Sequence, residues 1–400
     1  VITGLGVVSP LGLGVEPFWE GLIAGRSGAR RVEVDGLGTL TAFPVEDGDA
    51  ARERFGTRDA RRMDRVGQLA ALAGALALDD AGGPPADPAR AGVAIGSVHG
   101  GAETLDEAYR TLHDRGPDRV SPLAVPLSLV NSAAAATARV LGLRGPSSAP
   151  ATACAAGADA IGAALDAIRA GRADVMVAGG AEAPLSPMVA AGYARMGALT
   201  RGGRAPEEAS RPFDRARDGF VIGEGAGVLV LEERDHALAR GATIHAELAG
   251  YAATCDAGHL TDPDPVGAGA ARALVAALAD AGVTPGEVGY VNAHATSTPA
   301  GDVAEARALA SAGLDGVPVS STKSAHGHGL GAAGGVEALV AALVIARGII
   351  PPTLNLDDPD PDAPLAHVLA PTPAAVDVAV SNSFGFGGHN ACLVLRRHEG

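Results

Sequence analysis

The stretch Ser147-Ser-Ala-Pro-Ala-Thr-Ala-Cys154-Ala-Ala-Gly157 joins an extended run to a helical one. Beyond it Ile161, Leu165 and Ile168 recur at helical spacing, so Ala155 to Arg169 reads as a helix with Cys154 at its first turn. The positive end of a helix dipole, worth roughly 0.3–1 kcal/mol at that position, favours thiolate over thiol. Cys154 is therefore a candidate nucleophile. The competing reading is a small buried residue in an Ala/Gly-rich turn.

Working outward, the β-branched run Val1 to Val8 reads as a strand, followed by a helix near Pro17 to Ala24. Asp59 to Ala77 reads as a helix carrying Arg61, Arg62 and Arg65, with Arg58 just before it. Strands are predicted at Ala91–Ser97, Ala173–Gly180, Gly223–Glu232 and Thr243–Tyr251, with a small-residue helix at Ser132–Leu141. Later in the chain, helices Ala268–Ala281, Asp302–Ala312 and Ala332–Ala346 alternate with strands Val288–Ala293, Pro318–Ser321, Val376–Ser381 and Ala391–Leu395. This alternation predicts an α/β protein with mostly parallel sheet covered on both faces. The plan repeats, giving two halves, residues 1–240 and 241–400, alike in plan but not in residue identity.

At 400 residues the chain suits two domains of about 200 residues each. A net charge of −15 argues against a general binder of nucleic acid or membrane surface, both polyanionic. Cys154, Cys255 and Cys392 lie far apart without metal-type spacing, which argues against a disulfide framework or zinc site and for a reducing, cytoplasmic setting. No apolar run approaches the ~20 residues that span a bilayer, and no basic segment followed by an apolar stretch reads as a secretory leader.

A cysteine nucleophile needs proton handling and a place for the negative charge of the attacked carbonyl. His294, in Asn-Ala-His-Ala-Thr-Ser-Thr, and His328, in Lys-Ser-Ala-His-Gly-His, both stand where a strand runs into a loop, the usual place for active groups in α/β sheets. The loop Phe384-Gly-Phe-Gly-Gly388 suits close backbone approach and presents amide N–H groups. His326-Gly-His328 reads weakly as a metal pair, because no further ligand stands at suggestive spacing. Gly223-Glu-Gly-Ala-Gly227 lacks the strand-to-helix context of a dinucleotide fingerprint.

Together these segments resemble the β-ketoacyl-[acyl carrier protein] synthases, the elongating Cys-His-His ketosynthases of the thiolase superfamily. The resemblance runs from Val-Ile-Thr-Gly-Leu-Gly at Val1, through Thr-Ala-Cys154, Arg211-Pro-Phe-Asp214 and the two histidine motifs, to Asn382-Ser-Phe-Gly-Phe-Gly-Gly388. It implies a thiolase-like, five-layer α-β-α-β-α fold built from two similar halves. It also implies a dimer, either a homodimer or a heterodimer with a chain-length-factor-like subunit.

The implied reaction is a decarboxylative Claisen condensation of an acyl group on Cys154 with malonyl-[acyl carrier protein], giving 3-oxoacyl-[acyl carrier protein] in fatty-acid or type II polyketide or polyene synthesis. By resemblance, His294 and His328 serve the malonyl thioester, and Lys323 pairs with Glu337. Phe386 supplies an oxyanion N–H and gates the acyl pocket, Thr296, Thr298 and Phe384 bind substrate, and Arg58, Arg61 and Arg62 dock the acidic carrier protein. No metal or organic cofactor is implied.

Several residues depart from the family pattern: Ala155 and Ala156 after the nucleophile, Ala295, His326, Gly329 and His389. Alternatives are a thiolase acting on coenzyme A esters, which needs a second catalytic cysteine, and a non-catalytic partner subunit, which lacks the nucleophile. Cys392, in a Cys-Leu-Val-Leu strand, reads as core.

Overall fold

The computed structural model describes residues 1–399. Its first sheet is built on β1 (Ile2–Ser9), β2 (Ala91–Gly96), β3 (Val175–Glu182) and β4 (Gly225–Glu232). The second is built on β5 (Glu247–Cys255), β6 (Tyr290–Asn292), β7 (Pro318–Ser320), β8 (Val378–Gly385) and β9 (His389–Arg396). In the first, β1 pairs antiparallel with β4 and β4 antiparallel with β3; β3 then runs parallel to β2, and β2 parallel to Ser147–Ser148. In the second, β5, β9, β8, β6 and β7 repeat that succession, antiparallel twice and then parallel twice. The two halves thus share one strand plan.

The sheets are mixed and not mostly parallel as the alternation suggested. The last long strand of each half inserts between the first strand and the parallel group, and it runs against both neighbours. In the second half, β8 and β9 pair from Val378 with Arg396 through to Gly385 with His389, so their connection is the tight glycine loop itself.

Five layers result. Helices α1 (Arg65–Asp80) and α2 (Ser132–Leu141) cover the outer face of the first sheet. Helices α3 (Ala156–Arg169) and α6 (Ala333–Arg347) lie between the sheets, and α4 (Ala268–Ala281) and α5 (Pro299–Ser311) cover the second from outside. The segment Leu330–Arg347 is long and apolar enough to cross a membrane by length and composition, but 89% of it is buried inside the protein. The predicted helix over Asp59–Ala77 is broken. A short helix at Thr57–Ala60 ends before Asp64, whose carboxylate caps α1 by accepting the Val66 N–H at 3.1 Å.

The middle layer fits because glycines let backbones touch. A Cβ on Gly335 would lie 2.1 Å from the Gly227 carbonyl oxygen, and one on Gly157 would lie 2.7 Å from that of Gly331. Backbone cannot yield as a flexible side chain does, so Gly335→Ala is expected to destabilise by about 1–3 kcal/mol. Gly192→Ala, at an exposed position of the helix Pro187–Met196 with nothing within 4 Å of the new methyl, is expected to be neutral or slightly stabilising. Thermal unfolding of the two variants checks this; equal midpoints would contradict it.

Candidate active site

Cys154 sits in a 3₁₀ turn, Ala153–Ala155, immediately before α3. Ala153 has φ +50°, a left-handed conformation strained for a residue with a side chain, and it turns the chain sharply between strand and helix. The glycine loop closes over the turn. A Cβ on Gly385 would lie 2.7 Å from the Thr152 carbonyl oxygen and 3.0 Å from the Cys154 nitrogen. Gly387 and Gly388 both take positive φ, and the loop is anchored by the Gly387 N–H to Leu260 and the Asp256 N–H to Gly388. The backbone N–H groups of Phe386 and Cys154 both reach the Cys154 sulfur. Two donors aimed at one point are what an oxyanion requires.

His294 follows β6. A single buried carboxylate, Glu305 of α5, fixes its backbone by accepting the N–H groups of His294 (2.9 Å) and Ala295 (2.6 Å) and the Asn382 side-chain amide (3.0 Å). His328 follows Gly327, where φ is +76° and a Cβ would strike the Phe43 ring. Its Nε2 lies 3.0 Å from the Cys154 sulfur, and its ring meets that of His294 edge-on with centroids 5.3 Å apart. The Nδ1 atoms of both rings are buried without partners. Hydrogen on Nε2 in each ring is the assignment that strands no buried N–H.

Lys323 is fully buried beside them and is the only lysine in the chain; every other cationic side chain besides histidine is arginine. Its ammonium donates to Glu337 of α6. Burial, with Lys323 next, drives the pKa of both His294 and His328 well below the ordinary histidine value, so both rings rest neutral. Burial also pushes the Cys154 thiol up to about 12, opposed by Lys323 and by the two backbone N–H groups. Desolvation thus outweighs the pull of the helix end toward thiolate. The same burial raises the Glu337 carboxyl, and Lys323 pulls it back.

Cys154, His294, His328, Thr296, Thr298, Phe384 and Phe386 line one cavity of about 350 Å³. The hydroxyls of Thr296 and Thr298 are 3.2 Å apart. Ser297 between them has φ +72°, and its hydroxyl accepts the Arg211 N–H at 3.1 Å. The Arg211–Asp214 motif is therefore a brace for the threonine loop: Arg211 pairs with Asp214 at 2.9 Å, and the Phe213 N–H donates to Asp302 of α5 at 2.8 Å.

Other sequence-predicted residues stand apart. His326 faces away from the cavity, its Nε2 3.1 Å from the Thr322 hydroxyl and its ring against Phe18, so the His326–His328 pair does not converge. Cys392 is fully buried in β9, its thiol 3.3 Å from the Asn382 oxygen. Arg58, Arg61 and Arg62 are exposed, make no ion pair among the described residues, and do not line the cavity. Glu305 escaped the sequence reading, and so did the role of Asn382, which stood there only as the first residue of the glycine-loop motif. The available signal was Asp302 and Glu305 one turn apart on the apolar face of a helix, where buried Ala and Leu otherwise stand.

A five-layer α/β protein with a buried cysteine, two neutral imidazoles and converging backbone N–H groups at a narrow cavity belongs to the thiolase-like acyl-transferring class. Within it, residues 1–237 match the family profile "Beta-ketoacyl synthase, N-terminal domain" and residues 245–357 match "Beta-ketoacyl synthase, C-terminal domain". The chain belongs to the β-ketoacyl synthase family. It is similar to a 3-oxoacyl-[acyl-carrier-protein] synthase 2 of Synechocystis sp., 45% identical over 100% of this chain and 98% of that protein. Among solved structures it resembles the ishigamide ketosynthase/chain length factor (TM-score 0.92, 37% identity, 100% of this chain and 99% of that one). It also resembles a type II PKS ketosynthase bound to the hexaketide, in complex with its acyl-carrier protein (TM-score 0.89, 36% identity, with the same coverage).

With depressed pKa values, His294 and His328 stay neutral as pH falls through about 6.5, where an unburied imidazole gains its proton. Carbon-13 NMR of histidine-labelled protein, with the two rings assigned through His294→Gln and His328→Gln, is expected to show no titration of either ring between about pH 8 and pH 6. A midpoint near 6.5 for either would contradict this.

Proposed function

We propose that the chain is an elongating ketosynthase, an acyltransferase that condenses an acyl group held on Cys154 with malonyl-[acyl carrier protein] to give 3-oxoacyl-[acyl carrier protein]. The observation that carries this is the Cys154 sulfur lying 3.0 Å from His328, with His294 beside it and two backbone N–H groups on the sulfur.

The sulfur attacks the thioester carbonyl of an acyl-phosphopantetheine. Because the thiol rests protonated, its proton leaves as the carbon–sulfur bond forms and ends on the departing pantetheine sulfur. Malonyl thioester then enters along Thr296 and Thr298. Its carboxylate leaves as carbon dioxide, and the electron pair moves into an enolate whose oxygen accepts from the Nε2–H groups of His294 and His328. The enolate carbon attacks the acyl carbonyl, whose oxyanion accepts from the N–H groups of Cys154 and Phe386; as the carbonyl re-forms, the carbon–sulfur bond breaks and Cys154 leaves as a thiolate, which takes a proton from water to restore the resting thiol. Donors of this kind are worth about 2.7–4 kcal/mol each where removed singly.

The scheme calls for no metal or organic cofactor. A divalent cation held by Cys154, His294 and His328, whose donor atoms lie within 4.8 Å of one another, would stand near the Lys323 cation and occupy the nucleophile's lone pairs. Arg58, Arg61 and Arg62, exposed on an acidic protein, suit docking of an acidic carrier protein. A homodimer or a heterodimer with a chain-length-factor-like subunit, working in the cytoplasm in fatty-acid or type II polyketide or polyene synthesis, completes the reading. The neighbours of the second kind, a ketosynthase with a chain length factor and one with its carrier protein, support it. A thiolase role fits less well, because Cys392 is sealed in β9.

Intact-protein mass spectrometry after mixing with acyl carrier protein tests the assignment. The wild type is expected to gain one acyl group and Cys154→Ala none, while glutamate at positions 58, 61 and 62 slows the transfer. An equal adduct on Cys154→Ala would sink the nucleophile assignment, and an unchanged rate in the charge-reversed variant would sink the docking surface.

A further inference from the structure

Around the start of α3, Ala155, Ala156, Ala158, Ala160 and Ile161 are fully buried, and one carboxylate, Asp159, is buried among them. Its two oxygens accept from hydroxyls of opposite halves of the chain: Tyr251 of β5, at 2.8 Å, and Thr152, two residues before the nucleophile. The Tyr251 ring reaches this place by lying over Gly162 of α3, where a Cβ would come within 2.5 Å of three ring atoms. Burial, with Asp159 next, raises the pKa of the Tyr251 phenol, so it stays protonated and donates. Burial also raises the Asp159 carboxyl, and the two hydroxyls, with His389 behind them, pull it back. An apolar side chain would fill the same space without the cost of burying a carboxylate. The carboxylate is explained by what its hydrogen bonds hold.

The Thr152 bond reaches seven residues forward and closes a ring round Cys154. Inside that ring stands Ala153 with φ +50°, a conformation that persists only where the surrounding structure fixes it. On its other side the Thr152 carbonyl oxygen packs against Gly385, where a Cβ would lie 2.7 Å away. Gly385 leads directly into Phe386. Thr152 thus stands between the two backbone N–H groups, of Cys154 and Phe386, that reach the sulfur.

We propose that Tyr251, Asp159 and Thr152 form a hydrogen-bonded brace that positions the nucleophile turn, so that the N–H groups of Cys154 and Phe386 converge on one oxyanion. This rests on the ketosynthase reading. None of the three residues lines the cavity, so they act through the turn and not on substrate. The histidine loop has a clamp of its own in Glu305. The brace therefore serves acyl transfer to and from Cys154 and leaves enolate formation at the histidines alone.

The test uses Thr152→Val, which removes the hydroxyl at nearly constant volume, Thr152→Ser, which keeps it, and Tyr251→Phe. Two rates are read for each: acyl transfer onto Cys154 by intact mass, from the fastest of acetyl-, hexanoyl- and octanoyl-[acyl carrier protein], and carbon dioxide release from malonyl-[acyl carrier protein] without a primer. Thr152→Val is expected to lower the saturating rate of transfer by about ten- to a hundredfold, the effect of a misplaced reacting group, with little change in the half-saturating concentration. Tyr251→Phe is expected to lower it by about three- to tenfold, the effect of one hydrogen bond. Thr152→Ser is expected to transfer nearly as fast as the wild type, and all three variants to release carbon dioxide at nearly the wild-type rate. Unchanged transfer in Thr152→Val, transfer in Thr152→Ser as slow as in Thr152→Val, or carbon dioxide release falling in step with transfer would overturn the proposal and leave the ketosynthase reading intact. No transfer to the wild type from any of the three thioesters would overturn both.

Discussion

The active site depends on one buried cation. Burying an ammonium costs several kcal/mol unless it is paired, and Lys323 is fully buried. Its partner Glu337 comes from α6, the helix lying between the two sheets, so the ion pair ties the loop bearing His328 to the central layer. Burial keeps the two imidazoles neutral, and the same Lys323 charge adds to that effect while easing ionisation of the Cys154 sulfur. In a chain that uses arginine for every other strong cation, lysine stands where a compact ammonium on a flexible stem fits and a planar five-donor guanidinium would not.

Much of this was legible in the sequence. Helices α2 and α4 fall on the residues that apolar spacing predicted, because a stripe on one helix face leaves a clear period. The residues of the constellation were each visible as a cysteine before a helix or a histidine after a strand. Less legible was whatever depends on contacts between distant segments. The antiparallel insertion of β4 and β9 leaves no local mark, since the strands are equally apolar whichever way their neighbours run. The break before Asp64 lay inside a pattern that reads continuously as helix. The Cys154 ionisation could not be judged either, because the helix end is visible in sequence and the desolvation that outweighs it is not.

The departures from the family pattern do not all lie at the site. Ala155 and Ala156 are fully buried under the nucleophile turn, where α3 packs against the first sheet; a Cβ on Gly96 of β2 would lie 2.1 Å from the Ala156 carbonyl oxygen. They leave little volume for larger side chains. Ala295 donates its N–H to Glu305 and so shares the clamp that fixes His294. His326 fills a separate space against Phe18, and His389 follows the loop glycines Gly387 and Gly388 at the start of β9.

The central claim is a division of labour: Cys154 holds the acyl group, and the two neutral imidazoles carry decarboxylation. The most direct measurement is carbon dioxide release from malonyl-[acyl carrier protein] without an acyl primer. Cys154→Ala is expected to keep releasing carbon dioxide while losing condensation, and His294→Ala and His328→Ala are each expected to lose release by about a hundredfold or more, the effect of one missing donor. Undiminished release by either histidine variant would contradict the account.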